Sequence, residues 1–331
     1  MNRFAAELAA LAVPGDGSLL PGHADARAHR TGLPRQHVLL ADRPDGTVVR
    51  NGPVVVKAHA PDTDHAALGV RIRVAAAPAL AGILLPPLPL APATGSLTTV
   101  LRGRPVSAWP HGHPVDPDRP EAAPWEDAAR LLAGLHRVPV AALPGPLPPM
   151  RGPAKVARAL ARMAAAGPHP EAAAVTAAAA GLPAWARGEL PAPPGTVLCH
   201  GDLHLGQLVR HPAPEGPWLL IDVDDLGLGD PTWDLARPAA WYAAGILAPE
   251  VWDRFLHAYR EAGGPAAGPR GADPWPVLDT AARALTVQTA ALALAKSVAE
   301  RRELDEVERL VVQSCARIGT LPQDLEASAP S

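Results

Sequence analysis

Cysteine is scarce in this sequence: Cys199 and Cys315 are the only two among 331 residues. Two cysteines cannot form the disulfide framework of a small secreted domain, and their spacing matches no metal-ligand motif. We therefore expect a reducing, cytoplasmic environment.

A strong charge of one sign and long apolar runs are also missing. The formal net charge of −3 gives no global electrostatic footprint for nucleic acid. No apolar run approaches the roughly 18 residues that span a bilayer. Residues 1–17 already carry Glu7 and are typical of a short amphipathic helix rather than a signal peptide. We expect no nucleic-acid partner and no membrane association, and we make no prediction of oligomeric state.

Lysine is nearly absent, and arginine carries most of the positive charge. The lysines are Lys57, Lys155 and Lys296, and only Lys57 lies in a strand-like run. Lys57 is therefore a candidate for a functional cation.

The N-terminal part has the pattern of antiparallel strands. Short aliphatic runs at 38–40, 47–50 and 54–57 are separated by Asp45-Gly46 and Asn51-Gly52-Pro53, which are turn signals. A further strand is expected at 97–102. A helix is expected over 62–76, with Asp62 or Asp64 as its N-cap.

From Trp125 onward the pattern becomes helical, with apolar residues at helical spacing. We predict an α+β fold with a β-rich N-terminal lobe at 1–104 and a mainly helical C-terminal lobe at 125–331. Residues 105–124 are rich in Pro, Gly and His and are predicted to connect the two. The helices are expected at 125–138, 155–166, 171–180, 236–244, 249–262, 277–299 and 303–318.

The stretch 196–238 concentrates acids, histidines and glycines among short apolar runs. A strand at 196–199 leads into HGDLHLGQ, and strands at 208–210 and 218–221 are joined by the turn HPAPEGP. Because this hairpin returns the chain to its start, we expect Asp222 close to Gln207 and to the loop that carries Asp202.

Two such acids suit transfer of a phosphoryl group. One carboxylate can accept the proton of an attacking hydroxyl, and the other, with an amide oxygen such as that of Gln207, can hold Mg²⁺. Asp224 is a possible additional metal ligand. Lys57 is the candidate to reach the phosphates of the nucleotide.

The same residues resemble the aminoglycoside phosphotransferase family, which has a protein-kinase-like fold and includes choline, homoserine and sugar kinases. The resemblance is carried by four segments in order: HGDLHLGQ at 200–207, LID at 220–222, GDP at 229–231 and DLA at 234–236.

The resemblance implies an ATP- and Mg²⁺-dependent kinase acting on a hydroxyl of a small molecule. It makes Asp202 the catalytic base, Asp222 and Gln207 metal ligands, and Lys57 the phosphate-binding lysine. The segment after Leu101 becomes the hinge that holds the adenine. The acceptor is expected to be an aminoglycoside or related amino sugar, or alternatively a sugar.

Two departures from the family pattern concern the site. Gln stands at 207 where Asn is usual, in a form similar to maltokinases and bacterial glucosamine kinases. The helix after Lys57 contains no Glu, so that only Asp62 and Asp64 could pair with the lysine there, and no Gly-rich phosphate loop precedes it.

The remaining polar residues of the stretch are expected to organise its loops. His200 and His204 are predicted to bond backbone groups. Asp230 precedes Pro231, as an N-cap precedes the first helical residue, and Asp234 follows in the same segment.

Two other functions fit part of the pattern. Gly201-Asp202-Leu203-His204 also resembles a metallophosphoesterase GDxH motif, but the upstream DxH and downstream Asn-His and GHxH elements do not occur in order. A nucleotide-binding protein without catalysis is the other alternative, because the helix glutamate is missing.

Overall fold

The computed structural model describes residues 3–12, 37–43, 45–91 and 94–320. The chain divides into two compact units. The sheet unit comprises Met1–Pro114, Leu143–Leu147 and Val209–Asp224, and the helical unit comprises Val115–Ala142, Pro148–Leu208 and Asp225–Ser331. Among the residues described, no helix combines the length and apolar character needed to cross a bilayer.

The sheet unit is built on a five-stranded antiparallel sheet of order β1-β2-β3-β5-β4. Its strands are β1 (Val38–Arg43), β2 (Gly46–Asn51), β3 (Val54–His59), β4 (Thr98–Leu101) and β5 (Arg104–Pro110). Helix α1 (Arg3–Ala10) and helix α2 (His65–Ala75) belong to the same unit. Residues 1–2 and 13–17 of the predicted N-terminal helix lie outside the described part of the chain.

The core of this unit lies between α1 and one face of the sheet. Leu8 packs with Val49, Val56 and Val106, all of which are fully buried. Side chains alternate between the two faces of a strand, so that Lys57 points away from the face that buries Val56. The apolar alternation of β3 thereby fixes the direction of its lysine.

Strand β5 corrects one expectation. Residues 105–110 were assigned to a connector, yet they pair with β3 and β4 inside the sheet. Pro105 and Pro110 fall near the two ends of the strand, where a missing N–H is tolerated. The domain boundaries drawn from the sequence stay predictions.

A second, small sheet of the chain has the order β6-β8-β9, formed by β6 (His113–Pro114), β8 (Leu208–Arg210) and β9 (Trp218–Leu220). The hairpin expected between 208–210 and 218–221 is therefore present. In the helical unit, β7 (Val197–Cys199) pairs antiparallel with β10 (Gly227–Gly229).

The helical unit is organised around a long, alanine-rich helix. Its helices are α3 (Trp125–His136), α4 (Gly152–Ala166), α5 (Ala172–Ala180), α6 (Thr232–Ala243), α7 (Pro249–Glu261), α8 (Trp275–Glu300) and α9 (Glu306–Ile318). Helices α4, α6 and α9 pack against α8, and α3 packs against α7. The small side chains of α8, of which Ala284, Ala290 and Ala291 are fully buried, allow its neighbours to approach closely.

Candidate active site

Lys57 lies in an ion-pair cluster of the sheet unit. Its Nζ is 2.7 Å from Oδ1 of Asp222 and 3.0 Å from Oδ2 of Asp224. Burial lowers the pKa of Lys57, but the two carboxylates outweigh burial and raise it above its ordinary value. The lysine is therefore a permanent cation at neutral pH, as a phosphate-binding role requires.

Asp222 and Asp224 take the place of the glutamate that is missing from the helix after Lys57. Asp64 is the N-cap of α2, and its Oδ1 accepts hydrogen bonds from the backbone N–H groups of Ala66 and Ala67. It thus caps the beginning of the helix, while Lys57 has Asp222 and Asp224 as its partners. Of the two acids in that segment that could pair with Lys57, Asp64 is therefore an N-cap instead.

Asp224 is held from a second side by a buried histidine. His59 Nδ1 lies 3.0 Å from Oδ1 of Asp224, and His59 Nε2 lies 2.8 Å from Oγ of Ser107. The indole N–H of Trp109 donates to the same Ser107 oxygen at 2.9 Å. Ser107 can then donate to Nε2, which leaves the proton of His59 on Nδ1 and directed at Asp224.

Burial and pairing oppose each other at Asp224. Burial raises the pKa of its carboxyl, whereas Lys57 and His59 lower it by more, so that the net pKa lies well below the ordinary value. Asp224 is therefore ionised, which is the form that binds a cation.

Asp222 has an unusual backbone. It follows β9 with a φ of 64°, in the left-handed region that a non-glycine residue seldom occupies. Aspartate tolerates this conformation better than most residues. Such conformations concentrate at functional sites, where the surrounding structure holds them.

Asp202 lies in the helical unit between two cations. Oδ2 is 2.8 Å from Nζ of Lys155, and Oδ1 is 2.9 Å from a terminal nitrogen of Arg237. Burial raises the pKa of Asp202, but Lys155 and Arg237 outweigh burial and hold the pKa well below its usual range. Asp202 is therefore ionised at neutral pH, and the carboxylate is the form that can accept a proton.

Lys155 connects this carboxylate to a second one. Its Nζ is also 2.8 Å from Oδ2 of Asp225, and Arg151 approaches the other oxygen of Asp225 at 3.4 Å. Lys155 and Arg151 come from the start of α4, which is separated by more than 40 residues from the loop that carries Asp202. No local motif marks Lys155; the scarcity of lysine is the one sequence signal that could have identified it.

Asp234 fixes the loop that carries Asp202. Its fully buried carboxylate accepts hydrogen bonds from the backbone N–H of His200 at 2.6 Å and of Gly201 at 2.7 Å. Asp234 and Arg237 lie three residues apart on α6 and so share one face of the helix. One helix turn therefore holds both the backbone of the loop and the side chain of Asp202.

The far side of Asp234 is closed by a buried network. His136 Nε2 donates to Oδ2 of Asp234 at 2.9 Å, and His136 Nδ1 lies 2.8 Å from the hydroxyl of Tyr259. Burial raises the pKa of Tyr259 above its ordinary value, so that its hydroxyl is a donor. Cys199, His136 and Asp234 lie close enough together to be considered as ligands of one metal ion. Both ring nitrogens of His136, however, already form hydrogen bonds within the protein. We therefore interpret this cluster as support for the loop.

The other predicted residues of the helical unit lie in or beside this loop. Gln207 is buried in the short helical turn Leu205–Gln207, and the ring of His204 accepts a hydrogen bond from the backbone N–H of Gly206 at 3.1 Å. Oδ1 of Asp230 accepts from the backbone N–H of Thr232 at 2.9 Å. Pro231, not Asp230, is the N-cap of α6, so the cap lies one residue further along the chain than expected. The loop-organising roles of His204 and Asp230 stay predictions.

The predicted site residues fall into two sets. Lys57, Asp222 and Asp224 meet in the sheet unit, whereas Asp202, Gln207, His200, His204, Asp230 and Asp234 belong to the helical unit. The expected closeness of Asp222 to Gln207 and Asp202 stays a prediction. Sequence reasoning missed His59, His136, Arg151, Lys155 and Arg237.

A pocket in the helical unit opens beside Asp202. The empty space within the pocket, open solvent included, is about 270 Å³. Polar and apolar side chains share its wall: Lys155, Asp202, Trp233, Arg237, Leu285 and Gln288. This pocket is a candidate acceptor site, because it places an ionised carboxylate at the edge of a cavity.

The antiparallel sheet carries a partly buried lysine with two acids, and the helical unit carries an aspartate loop. Together they define a phosphotransferase of the protein-kinase-like fold. The model of the phosphotransferase enzyme family matches residues 46–275. The chain belongs to this family and is a small-molecule kinase. No curated protein matched the chain in sequence.

Solved structures show the same fold at low sequence identity. A choline/ethanolamine kinase family protein from Mesorhizobium loti is 17% identical, with a TM-score of 0.53 over 88% of this chain and 92% of that one. The spectinomycin phosphotransferase APH(9)-Ia, solved with ADP and spectinomycin, is 14% identical, with a TM-score of 0.54 over 88% and 90% of the two chains. A thermostable mutant of the aminoglycoside phosphotransferase APH(4)-Ia, solved with AMP-PNP and hygromycin B, is 13% identical, with a TM-score of 0.54 over 89% and 95%. The predicted α+β, protein-kinase-like fold is thereby confirmed.

Proposed function

We propose that this chain transfers the γ-phosphate of ATP to a hydroxyl group of a small molecule, with Asp202 as the base. The observation that carries the proposal is the ionised Asp202 at the edge of a pocket, held by Lys155 and Arg237. A carboxylate in this position can orient the acceptor hydroxyl and take its proton as the new bond to phosphorus forms.

Lys57 is proposed to bind the phosphates of ATP. Its charge is secured by Asp222 and Asp224, and a cation that is already desolvated and oriented loses little freedom when phosphate replaces a carboxylate partner. Solved relatives of the same fold hold ADP or AMP-PNP, which supports an adenine nucleotide here.

The donor atoms fit a magnesium ion. Carboxylate and amide oxygens are the ligands that Mg²⁺ prefers, and Asp222, Asp224 and Gln207 supply them. The low pKa of Asp224 keeps its carboxylate ready for a cation. We propose Asp222 and Gln207 as the main ligands and Asp224 as an additional one. Bound there, Mg²⁺ would neutralise phosphate charge.

The pairing of Lys57 with Asp222 and Asp224 supports a catalytically active protein over the alternative that followed from the missing helix glutamate, a nucleotide-binding protein without catalysis. Lys57 is paired with two acids within the described residues, and Asp202 is ionised. For the acceptor, the proposal takes over the classes left open by the sequence: an aminoglycoside or related amino sugar, or a sugar. The spectinomycin and hygromycin B complexes of relatives support the first class.

Nucleotide binding and turnover test the proposal together. ATP affinity is measured by calorimetry with Mg²⁺ and with a chelator, and ADP release is followed with a panel of aminoglycosides, amino sugars and sugars. We expect Lys57→Met to weaken ATP binding by about a hundredfold, since a charge-assisted contact to phosphate is lost. Lys296→Met, at an exposed position on α8, is the matched control and should bind ATP normally. ATP binding without product from any acceptor would favour a protein that binds nucleotide only.

A further inference from the structure

If the proposed phosphotransfer is correct, the charged side chains of the pocket beside Asp202 select the acceptor by its charge. Among the described residues that line the pocket, Lys155 and Arg237 are cationic and Asp202 is the one acid. Asp225 and Arg151 continue the cluster behind Lys155. Lys155, Arg237 and Arg151 are three cations and Asp202 and Asp225 are two anions, so the net charge of these five side chains is +1 at neutral pH.

A polycationic acceptor meets this cluster unfavourably. To present a hydroxyl to Asp202, the molecule must approach an ammonium and a guanidinium that lie 2.8 Å and 2.9 Å from the carboxylate oxygens. Ammonium groups on the acceptor would face these cations in a partly desolvated site, where like charges repel strongly. A hydroxyl-bearing molecule without positive charge meets no such repulsion. An anionic group held on the side of Arg237 or Lys155 that faces away from Asp202 would gain from the cation.

The remaining wall suits a compact polyol. Trp233 and Leu285 are buried apolar side chains, and Gln288 is a buried amide that can both donate and accept hydrogen bonds. A ring with an apolar face and several hydroxyl groups can contact all three.

We propose that the acceptor is a small polyhydroxylated molecule that is neutral or negatively charged, and that polycationic aminoglycosides are selected against by Lys155 and Arg237.

The test compares four probes of graded charge: gluconate, glucose, glucosamine and kanamycin. Binding is measured by calorimetry on the full chain in the presence of Mg²⁺ and a non-hydrolysable ATP analogue, and turnover is measured as ADP release. We expect gluconate or glucose to exceed kanamycin in affinity and in kcat/KM by at least about tenfold. Kanamycin as the better ligand overturns the inference, and so does a failure of both gluconate and glucose to bind at millimolar concentration.

Two variants test whether the named cations are responsible. Lys155→Met is expected to lower the ratio of gluconate to glucose kcat/KM, and a ratio within one variant is insensitive to any general loss of activity. Gln288→Glu adds an acid to the pocket and is expected to raise the glucosamine to glucose ratio by about tenfold. Lys296→Met and Gln313→Glu, both at exposed positions of the helical unit, are the matched controls and should leave the ratios unchanged. Unchanged ratios in Lys155→Met and Gln288→Glu overturn the assignment.

ATP binding by the unaltered protein distinguishes failure of this inference from failure of the proposed function. If the unaltered protein does not bind ATP, the proposed function itself is refuted. Normal ATP binding with preferred phosphorylation of kanamycin leaves phosphotransfer standing and refutes only the proposed acceptor class.

Discussion

The ammonium group of Lys155 lies 2.8 Å from Oδ2 of Asp202, and the same nitrogen lies 2.8 Å from Asp225. A cation from α4 thus holds the proposed base in its ionised form. This relationship gives the pH dependence of the enzyme a definite expected shape.

The first prediction concerns the acidic limb of the rate profile. The pKa of Asp202 is depressed, so that Asp202 stays ionised above its unfolded value of about 3.9, and its contribution to stability is lost only as the pH falls toward the folded pKa. In Lys155→Met one cation is gone while burial remains, and the pKa of Asp202 must rise. We expect kcat/KM at pH 5, relative to pH 8, to be lower in Lys155→Met than in the unaltered protein. Lys296→Met should match the unaltered protein, and an unshifted profile in Lys155→Met would show that Lys155 does not control Asp202.

The second prediction concerns the buried carboxylate of Asp234. In Asp234→Asn an amide NH₂ replaces one acceptor oxygen and faces the N–H groups that the carboxylate had satisfied. We expect a loss of about 3 kcal/mol in the free energy of unfolding, measured with urea, because buried donors lose their partner. Asp230→Asn is the matched control. Its side chain is exposed and accepts one hydrogen bond from the backbone N–H of Thr232. Asparagine can accept the same bond, so that a change below about 0.5 kcal/mol is expected. Equal effects of the two substitutions would contradict the role assigned to Asp234.

The third prediction concerns Gly201, the residue before the proposed base. Its φ is +83°, and a Cβ placed there would lie 2.4 Å from the carbonyl oxygen of Asp225. Gly201→Ala must therefore displace the loop that carries Asp202, and we expect kcat to fall by about a hundredfold. Gly245→Ala is the control, because Gly245 has a φ of +76° but no neighbour within 4 Å of the added carbon. It should lose only about 1 kcal/mol of stability and keep its kcat. Similar kcat values for the two variants would argue against a close fit of the loop.

Much of the fold follows from local sequence signals. The Val-rich runs and the turn at Asn51-Gly52 gave β2 and β3 with their hairpin, and Asp64 was correctly one of two expected caps of α2. The periodic helices from α3 to α9 also lie where the apolar spacing places them. These features depend on residues that are neighbours in the chain, which is why the sequence alone predicts them.

The rest depends on contacts between distant segments. The prolines of β5 favoured a connector over a strand, and the strand is fixed by its pairing with β3 and β4. Lys155 reaches Asp202 across 47 positions, and His59 reaches Asp224 across 165. Such contacts leave no periodicity or spacing in the sequence. The motif residues could therefore be predicted, but the side chains that pair with them and keep them ionised could not.

Replacement of Asp202 by asparagine tests the central claim most directly. ATP-dependent phosphorylation of the best acceptor in the panel is measured for Asp202→Asn and for Asp253→Asn, an exposed position on α7 that serves as the matched control. With Asp202 as the base, Asp202→Asn should lose between about a hundredfold and ten-thousandfold in kcat while it still binds ATP, and Asp253→Asn should lose nothing. Undiminished transfer by a folded Asp202→Asn protein would contradict the account.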